Sequence, residues 1–239
     1  TPALSSAASD VYKRQESQIC DDMIKKIKIG WLDNFNGYYQ VEEEIRNQCK
    51  STLAALARNK VVVEEVKPKT NPHYLSESWK TLRSKSLYDE LVNYKLSADE
   101  KILSVDWEVK NGQAIKEEDI DEALLWRSLW DKDINSIFEK YDFLTLPSAQ
   151  VYPFNKDISS PTAIKGEQMG TYHQWMDIVV LASILGLPTL SVPVGLNRQG
   201  LPIGMQIIGK RKTDTNLIAF GKKYEAIFNY SEIVPKDFN

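Results

Sequence analysis

The chain has 239 residues, 42% hydrophobic and 26% charged, with 30 Lys and Arg against 33 Asp and Glu for a formal charge of -3. That length can bury a sizeable core in one large domain. Positive charge is scattered among acids and forms no basic stripe, so neither nucleic acid nor a membrane surface is an expected partner.

Residues 5–15 read SSAASDVYKRQ, and the DVYKRQ of Asp10 to Gln15 resembles the in-frame translation of a transposase sequencing adapter. Residues 1–24 are therefore expected to be an artefactual or disordered leader, set aside before any fold argument. Removing Asp10, Lys13 and Arg14 with it leaves the charge argument unchanged.

From Lys26 the run KIKIGWL alternates polar and apolar residues before Asp33, Asn34 and Gly37, the pattern of a strand entering a turn. Val41, Ile45, Cys49, Leu53 and Leu56 then recur at helical spacing behind Glu42, Glu43 and Glu44, acids that suit the positive end of a helix dipole. Asn59 is the expected stop, and Val61 to Val63 read as a buried strand. Residues 27–66 are thus a strand, helix, strand unit of the parallel kind.

Pro68 and Pro72 break the chain, and residues 74–140 read as helices with a turn at Asn111-Gly112. In the last helix Ile120, Leu124, Leu125, Leu129, Ile134, Ile137 and Phe138 form an apolar stripe for packing on a sheet. Trp126 and Trp130, four apart, read either as a stacking platform or, more commonly, as packing residues.

Asp142 to Pro147 is a strand entering a polar loop, and helix resumes at Tyr172. No charged residue stands between Ile178 and Asn197, but Gly186, Pro188 and Pro193 forbid a single spanning helix there. The expectation is a buried helix ending near Leu185, a strand over Thr189 to Val194, a turn at Asn197, Gln199 and Gly200, and a partner strand over Ile203 to Ile208. An amphipathic helix over Asp214 to Phe228 closes the chain.

Cys20 and Cys49 lack CxxC spacing, and His73 and His173 lack acidic partners at ligand spacing. Reduced thiols, a cytoplasmic setting and no metal are expected.

The segment GLPTLSVPVG at 186–195, followed by GLPIGMQIIG at 200–209, Asp214 and Tyr224-Glu225, resembles the C-terminal block of the amidase-signature family. YDFLTLPSA at 141–149 and KIKIGWL with its helix are similar to other parts of that half. The resemblance implies an α/β fold, a mixed and mostly parallel sheet flanked by helices with a C-terminal β-hairpin and helix. It also implies that residues 25–239 are the C-terminal part of a single domain whose N-terminal catalytic half is absent.

Read without the family, Gly186 and Gly200 supply positive φ before Leu-Pro, Gly204 allows close backbone approach, and Gln206 places an amide for neighbouring backbone groups.

The family implies hydrolysis of a carboxamide to a carboxylate and ammonia or an amine, by a Ser nucleophile, a bridging Ser in a cis peptide and a neutral Lys, without a cofactor. A Gly/Ser-rich loop would hold the oxyanion. The only Ser-Ser pairs, Ser5-Ser6 and Ser159-Ser160, lie in no such loop, so no catalytic residue is assigned and the chain alone is expected to be inactive. The remaining role is the pocket wall for a small-molecule amide, with Tyr172, His173, Trp175 and Met176 as substrate-binding candidates. His173 reads either as a ligand contact or as a hydrogen-bonded helix residue. In related glutamine-directed amidotransferases the corresponding helix carries an Asp at the place of Met176, and Asp177 should point elsewhere. That favours an amidase for apolar or aromatic amides over the alternative of a tRNA-dependent amidotransferase component; a non-catalytic truncated homologue acting as a binding module stands as a third reading. The reading allows a homodimer.

Overall fold

The structure, a computed structural model, describes residues 27–92 and 103–233. The leader expected over residues 1–24, with Cys20 in it, lies outside the described residues.

β1 (Lys28–Trp31), α1 (Glu43–Arg58) and β2 (Val62–Glu65) make the expected parallel unit, with Lys28 opposite Val62. Glu43 and Glu44 occupy the first turn of α1 and Arg58 the last, each suiting its end of the dipole. Ile45, Cys49, Leu53 and Leu56 form the buried face. β1 also pairs in parallel with β3 (Phe143–Pro147), and Ile29, Gly30 and Trp31 are buried in succession, as in a parallel strand covered on both faces. The strand at 61–63 differs from expectation. Val61 is buried, but Val62, Glu64 and Glu65 are exposed, and among the described residues β2 is an edge of the five-stranded sheet.

Residues 72–138 supply α2 (Pro72–Leu91), α3 (Leu103–Ala114) and α4 (Glu117–Phe138). Asn71 caps α2 by accepting the His73 amide at 3.0 Å, with Pro72 in the first turn. Asn111-Gly112 is not the turn that its dipeptide suggests. Gly112 lies inside α3, where a Cβ would collide with the Ser84 carbonyl of α2, so the glycine permits helix contact. The stripe of α4 is also rephased. Leu124, Leu125 and Leu129 are exposed, and the buried line is Ala123, Trp130, Ile134 and Phe138. Small Ala123 fits the close contact while Trp130 reaches inward, its Nε1 donating to Leu181 O at 2.8 Å. Trp126 stacks on Tyr74 at 4.0 Å.

After β3 come a two-stranded hairpin, β4 (Ala163–Ile164) with β5 (Glu167–Gln168), and then β6 (Thr189–Leu196) with β7 (Pro202–Gly209). The main sheet runs β2-β1-β3-β7-β6, parallel at its first two pairings and antiparallel at the last two. Gly186 and Gly200 have φ of +60° and +81°, as the Leu-Pro context requires. Asn197 Oδ1 accepts the amides of Gln199 and Leu201 at 2.9 and 2.8 Å and closes the β6–β7 turn. Helix does not resume at Tyr172. A 3-10 turn over Gln174–Val179 leads into the short α5 (Val180–Ser183), and the chain then turns at Gly186. The terminal α6 (Asp214–Phe228) lies where its pattern placed it and packs on β6 and β7. One hydrophobic cluster joins α1, the strands, α4, the 178–187 segment and α6.

Candidate functional site

In open α/β sheets ligands gather beyond the carboxyl ends of parallel strands. β1 and β3 end together, at Trp31 and Pro147, and three segments meet beyond them. The first is the 32–41 loop, which turns through left-handed φ at Asp33, Phe35, Asn36 and Gly37. Asn34 holds it, its Oδ1 accepting Gly37 N and its Nδ2 donating to Tyr39 O, both at 3.1 Å. A fork from Arg46 to Asp33, 2.8 and 2.7 Å, ties the loop to α1. Burial alone would raise the Asp33 pKa, but Arg46 and Lys50 outweigh it and hold the carboxyl below its ordinary value.

The second segment leaves β3. Buried Gln150 donates through Nε2 to Gln40 O at 2.9 Å and accepts Ile178 N on Oε1 at 3.0 Å, joining the first segment to the third. Gln206 on β7 adds its Nε2 to Pro147 O at 3.0 Å and Ile178 O at 3.4 Å, the backbone-satisfying role its sequence position suggests. Gly204 stands where any Cβ would overlap Ser148 Oγ.

The third segment, residues 171–179, carries all four candidate residues and splits them. Tyr172 OH and His173 Nε2 both reach Glu108 Oε1 at 2.9 Å, and Glu108 also accepts Arg83 Nε at 2.8 Å and Ser84 Oγ. Burial would raise the Glu108 pKa, but its donors keep the carboxyl below the ordinary value. His173 is 1% exposed with Trp79 and Trp107 against its ring at 5.3 and 5.2 Å. Burial holds its pKa below the ordinary value despite Glu108, so at neutral pH a neutral imidazole donates from Nε2. Burial and Glu108 push the Tyr172 hydroxyl up to about 12. Trp175 instead meets Phe154 edge-on at 5.4 Å and lines an apolar cavity of about 430 Å³ with Tyr152, Pro153, Val192, Pro193 and Ile203. Met176 is half-buried, its amide closing the turn on His173 O at 2.8 Å.

Glu108 was not singled out by sequence, and Asp177 was named only to be set aside as pointing away from the site. Asp177 is buried and lines a second cavity, about 200 Å³, with Tyr38, Tyr39, Gln150 and Gln174. A carboxylate followed by the uncharged 178–197 run was its available signal. Glu108 had none, being one acid among many on a charged helix.

The chemistry of this arrangement is that of walls. Ser148 and Ser191 line the apolar cavity without a His or Lys among its lining residues. Burial pushes the Cys49 thiol up to about 12, so it is no nucleophile. Among the described residues no group of His, Cys, Asp and Glu could hold a metal, and no helix is long and apolar enough to cross a membrane.

A family model described as "Amidase" matches residues 7–218. Similar curated proteins include a component of glutamyl-tRNA(Gln) amidotransferase from Rickettsia bellii (strain RML369-C), 33% identical over 114 residues that are 47% of this chain and 22% of that protein. The same-named protein of Borreliella afzelii (strain PKo) is 36% identical over 89 residues, 37% of this chain and 17% of its own. Among solved structures, a bacterial aryl acylamidase of the amidase-signature enzymes superposes with a TM-score of 0.73 at 24% identity, covering 86% of this chain and 44% of its own. 6-Aminohexanoate cyclic dimer hydrolase gives 0.72 at 19%, covering 89% and 47%. The chain thus spans less than half the length of these structures and about a fifth of the curated relatives.

Proposed function

The chain belongs to the amidase family, and from that premise we propose that it serves a hydrolase that converts a carboxamide to a carboxylate and ammonia or an amine. The family match over 7–218 carries this reading, and the fold shared with amidase-signature enzymes supports it. In this reading the chain contributes sheet and pocket wall, and the attacking Ser and the Lys base come from a preceding half. Trp175 and the apolar cavity receive an apolar or aromatic part of the substrate. Tyr172 and His173 hold the same segment in place through Glu108, and Met176 completes the turn between them. The reduced-thiol pattern of the sequence supports a cytoplasmic setting.

Two measurements test this. The 239-residue chain alone should show no turnover of an aryl amide such as an acylated 4-nitroaniline, and turnover by it would overturn the assignment of catalysis to a preceding half. The reading frame upstream in the source DNA should encode a Lys and a Gly/Ser-rich Ser-Ser segment, and a frame without them would sink the hydrolase reading. The amidotransferase relatives at 33% and 36% identity favour one second reading, a component that passes glutamine-derived ammonia to a partner protein. Glutamine-dependent amide transfer that needs such partners would select it.

A further inference from the structure

The outward face of α4 (Glu117–Phe138) is apolar at its middle, where Leu125 is 57% exposed and Leu129 38%. These leucines belong to a line formed by Glu118, Glu122, Leu125, Leu129, Lys132 and Ser136, every one of them exposed. Its alternating steps of four and three are those of the seam that one helix presents to another. The opposite line, Ala123, Trp130, Ile134 and Phe138, already holds α4 to the core, so the leucine line is a second face. Apolar residues gathered on an exposed face and rimmed by charge mark a contact surface.

The order of charges along the face says what covers it. Asp121 and Glu122 precede the leucines and Lys132 follows them, so the face carries its own complement. A two-fold axis at the level of Arg127 would set an antiparallel second copy with its Leu129 on Leu125 and its Leu125 on Leu129. Lys132 of each copy would then lie beside Asp121 and Glu122 of the other, and Glu118 would meet Ser136, with no like charges opposed. A parallel pairing would instead place Lys132 on Lys132 and Glu122 on Glu122, which repulsion disfavours. Other acids of the helix are held within the chain. Asp119 accepts the Lys116 amide at 2.8 Å, Asp131 pairs with Arg211 at 2.8 Å, and Asp133 takes the amides of Lys69 and Thr70 at 2.7 and 2.8 Å. Asp121 and Lys132 have no such partner among the described residues, and Glu122 accepts only a long bond, 3.4 Å, from Trp126.

We propose that two copies of this chain associate through α4, antiparallel and two-fold, with Leu125 and Leu129 at the centre and Lys132 on Asp121 and Glu122 at both ends. The contact runs about 27 Å along one helix face, from Glu118 to Ser136. A single helix pair buries less than a standard interface, so the association is weak, with Kd on the order of 100 μM. This goes beyond amide hydrolysis and is read by association alone, so it can fail without touching the catalytic proposal, and the reverse holds.

The test is sedimentation equilibrium of the full 239-residue chain up to about 1 mM, where a monomer–dimer equilibrium is expected. Lys132→Glu, and Asp121→Lys with Glu122→Lys in one chain, should each weaken association about tenfold, because like charges then oppose at both ends. A 1:1 mixture of these two variants should restore it, since each chain supplies the charge that the other lacks. Leu125→Lys should abolish it. On the unaltered chain a zero-length carbodiimide should join Lys132 to Asp121 or Glu122, groups about 15 Å apart along one helix, so that the link can form only between copies. A chain that stays monomeric at about 1 mM would leave the face to a different partner and overturn the proposal. So would a dimer that lacks this cross-link, one indifferent to the charge reversals or to Leu125→Lys, or a mixture that does not recover. The cross-link on the unaltered chain decides the matter even if a variant fails to fold.

Discussion

Removing the Glu108 carboxylate should loosen the whole 171–179 segment. The side chain is 1% exposed and accepts from Tyr172, His173, Ser84 and Arg83. In Glu108→Ala the first three donors lose their partner inside the fold, at about 1 kcal/mol each. The Arg83 side chain is 43% exposed, so its ion pair is screened and adds well under 1 kcal/mol. The expected loss is about 3–4 kcal/mol, a fall in Tm of roughly 6–16 °C for a domain of this size. Glu108→Gln keeps an acceptor and the volume, and should lose roughly half as much. Thermal and urea unfolding measure this, and NMR titration of the His173 ring adds a readout that general loosening would not mimic. Glu108 raises the His173 pKa against burial, so either variant that still folds should move the His173 midpoint further below 6.5. An Ala variant that costs under about 1 kcal/mol, or a His173 midpoint that rises, would refute the claim that Glu108 is the hub.

The rephased helix α4 gives a paired test: Ile134→Ala should cost about 2–5 kcal/mol, whereas Leu129→Ala on the exposed side should stay within about 0.5 kcal/mol by urea unfolding. Gly112→Ala gains about 1 kcal/mol of helix propensity but forces a methyl onto the Ser84 carbonyl at a cost of about 1–3 kcal/mol, so a net loss of stability is expected, and a gain would return Gly112 to an open position. Stability should also fall as pH drops through about 6.5, because the unfolded chain takes up a His173 proton that the fold, with its lowered pKa, refuses. His173→Gln keeps a donor toward Glu108, and in that variant the 6.5 slope should vanish while the losses from Glu108 and Asp33 protonation at lower pH remain.

What could be read from sequence followed from backbone requirements. The parallel unit was legible because α1 buries one clean helical face and Val61 ends beside it. The hairpin at 186–209 was legible because positive φ before Leu-Pro admits little besides glycine. Errors arose where a residue type has two uses. Asn-Gly is a turn signal, yet Gly112 serves a helix contact. Leucines were counted as core on α4, yet the narrow contact takes Ala123 and Trp130 and leaves Leu124 and Leu125 outside. Glu108 stayed hidden because its four donors come from one other helix, α2, and from a segment more than 60 residues away, and charge on a helix reads as solvated surface until those partners are placed.

The four site residues were named together as the opening of one helix, and the local helix type separates them. On an α-helix from Tyr172, residues 172, 173 and 176 would share one face. Over Gln174–Val179 the turn is 3-10, where residues three apart eclipse one another. Gln174 and Asp177 accordingly line the same cavity. Trp175, one step along, falls to the apolar cavity instead. The tighter turn is held from both ends, by Gln150 and Gln206 at Ile178 and by Glu108 at His173. A segment of a few residues can thereby present an anionic wall to one cavity and an aromatic wall to another while its aromatic start stays buried. Relaxed to a regular α-helix, it would turn about 100° per residue instead of about 120° and offset Asp177 from Gln174 by about 60°, still on one side of the helix. The 3-10 geometry therefore sharpens the alignment of Gln174 with Asp177, and it is held by Glu108, Gln150 and Gln206, none of which lines the apolar cavity.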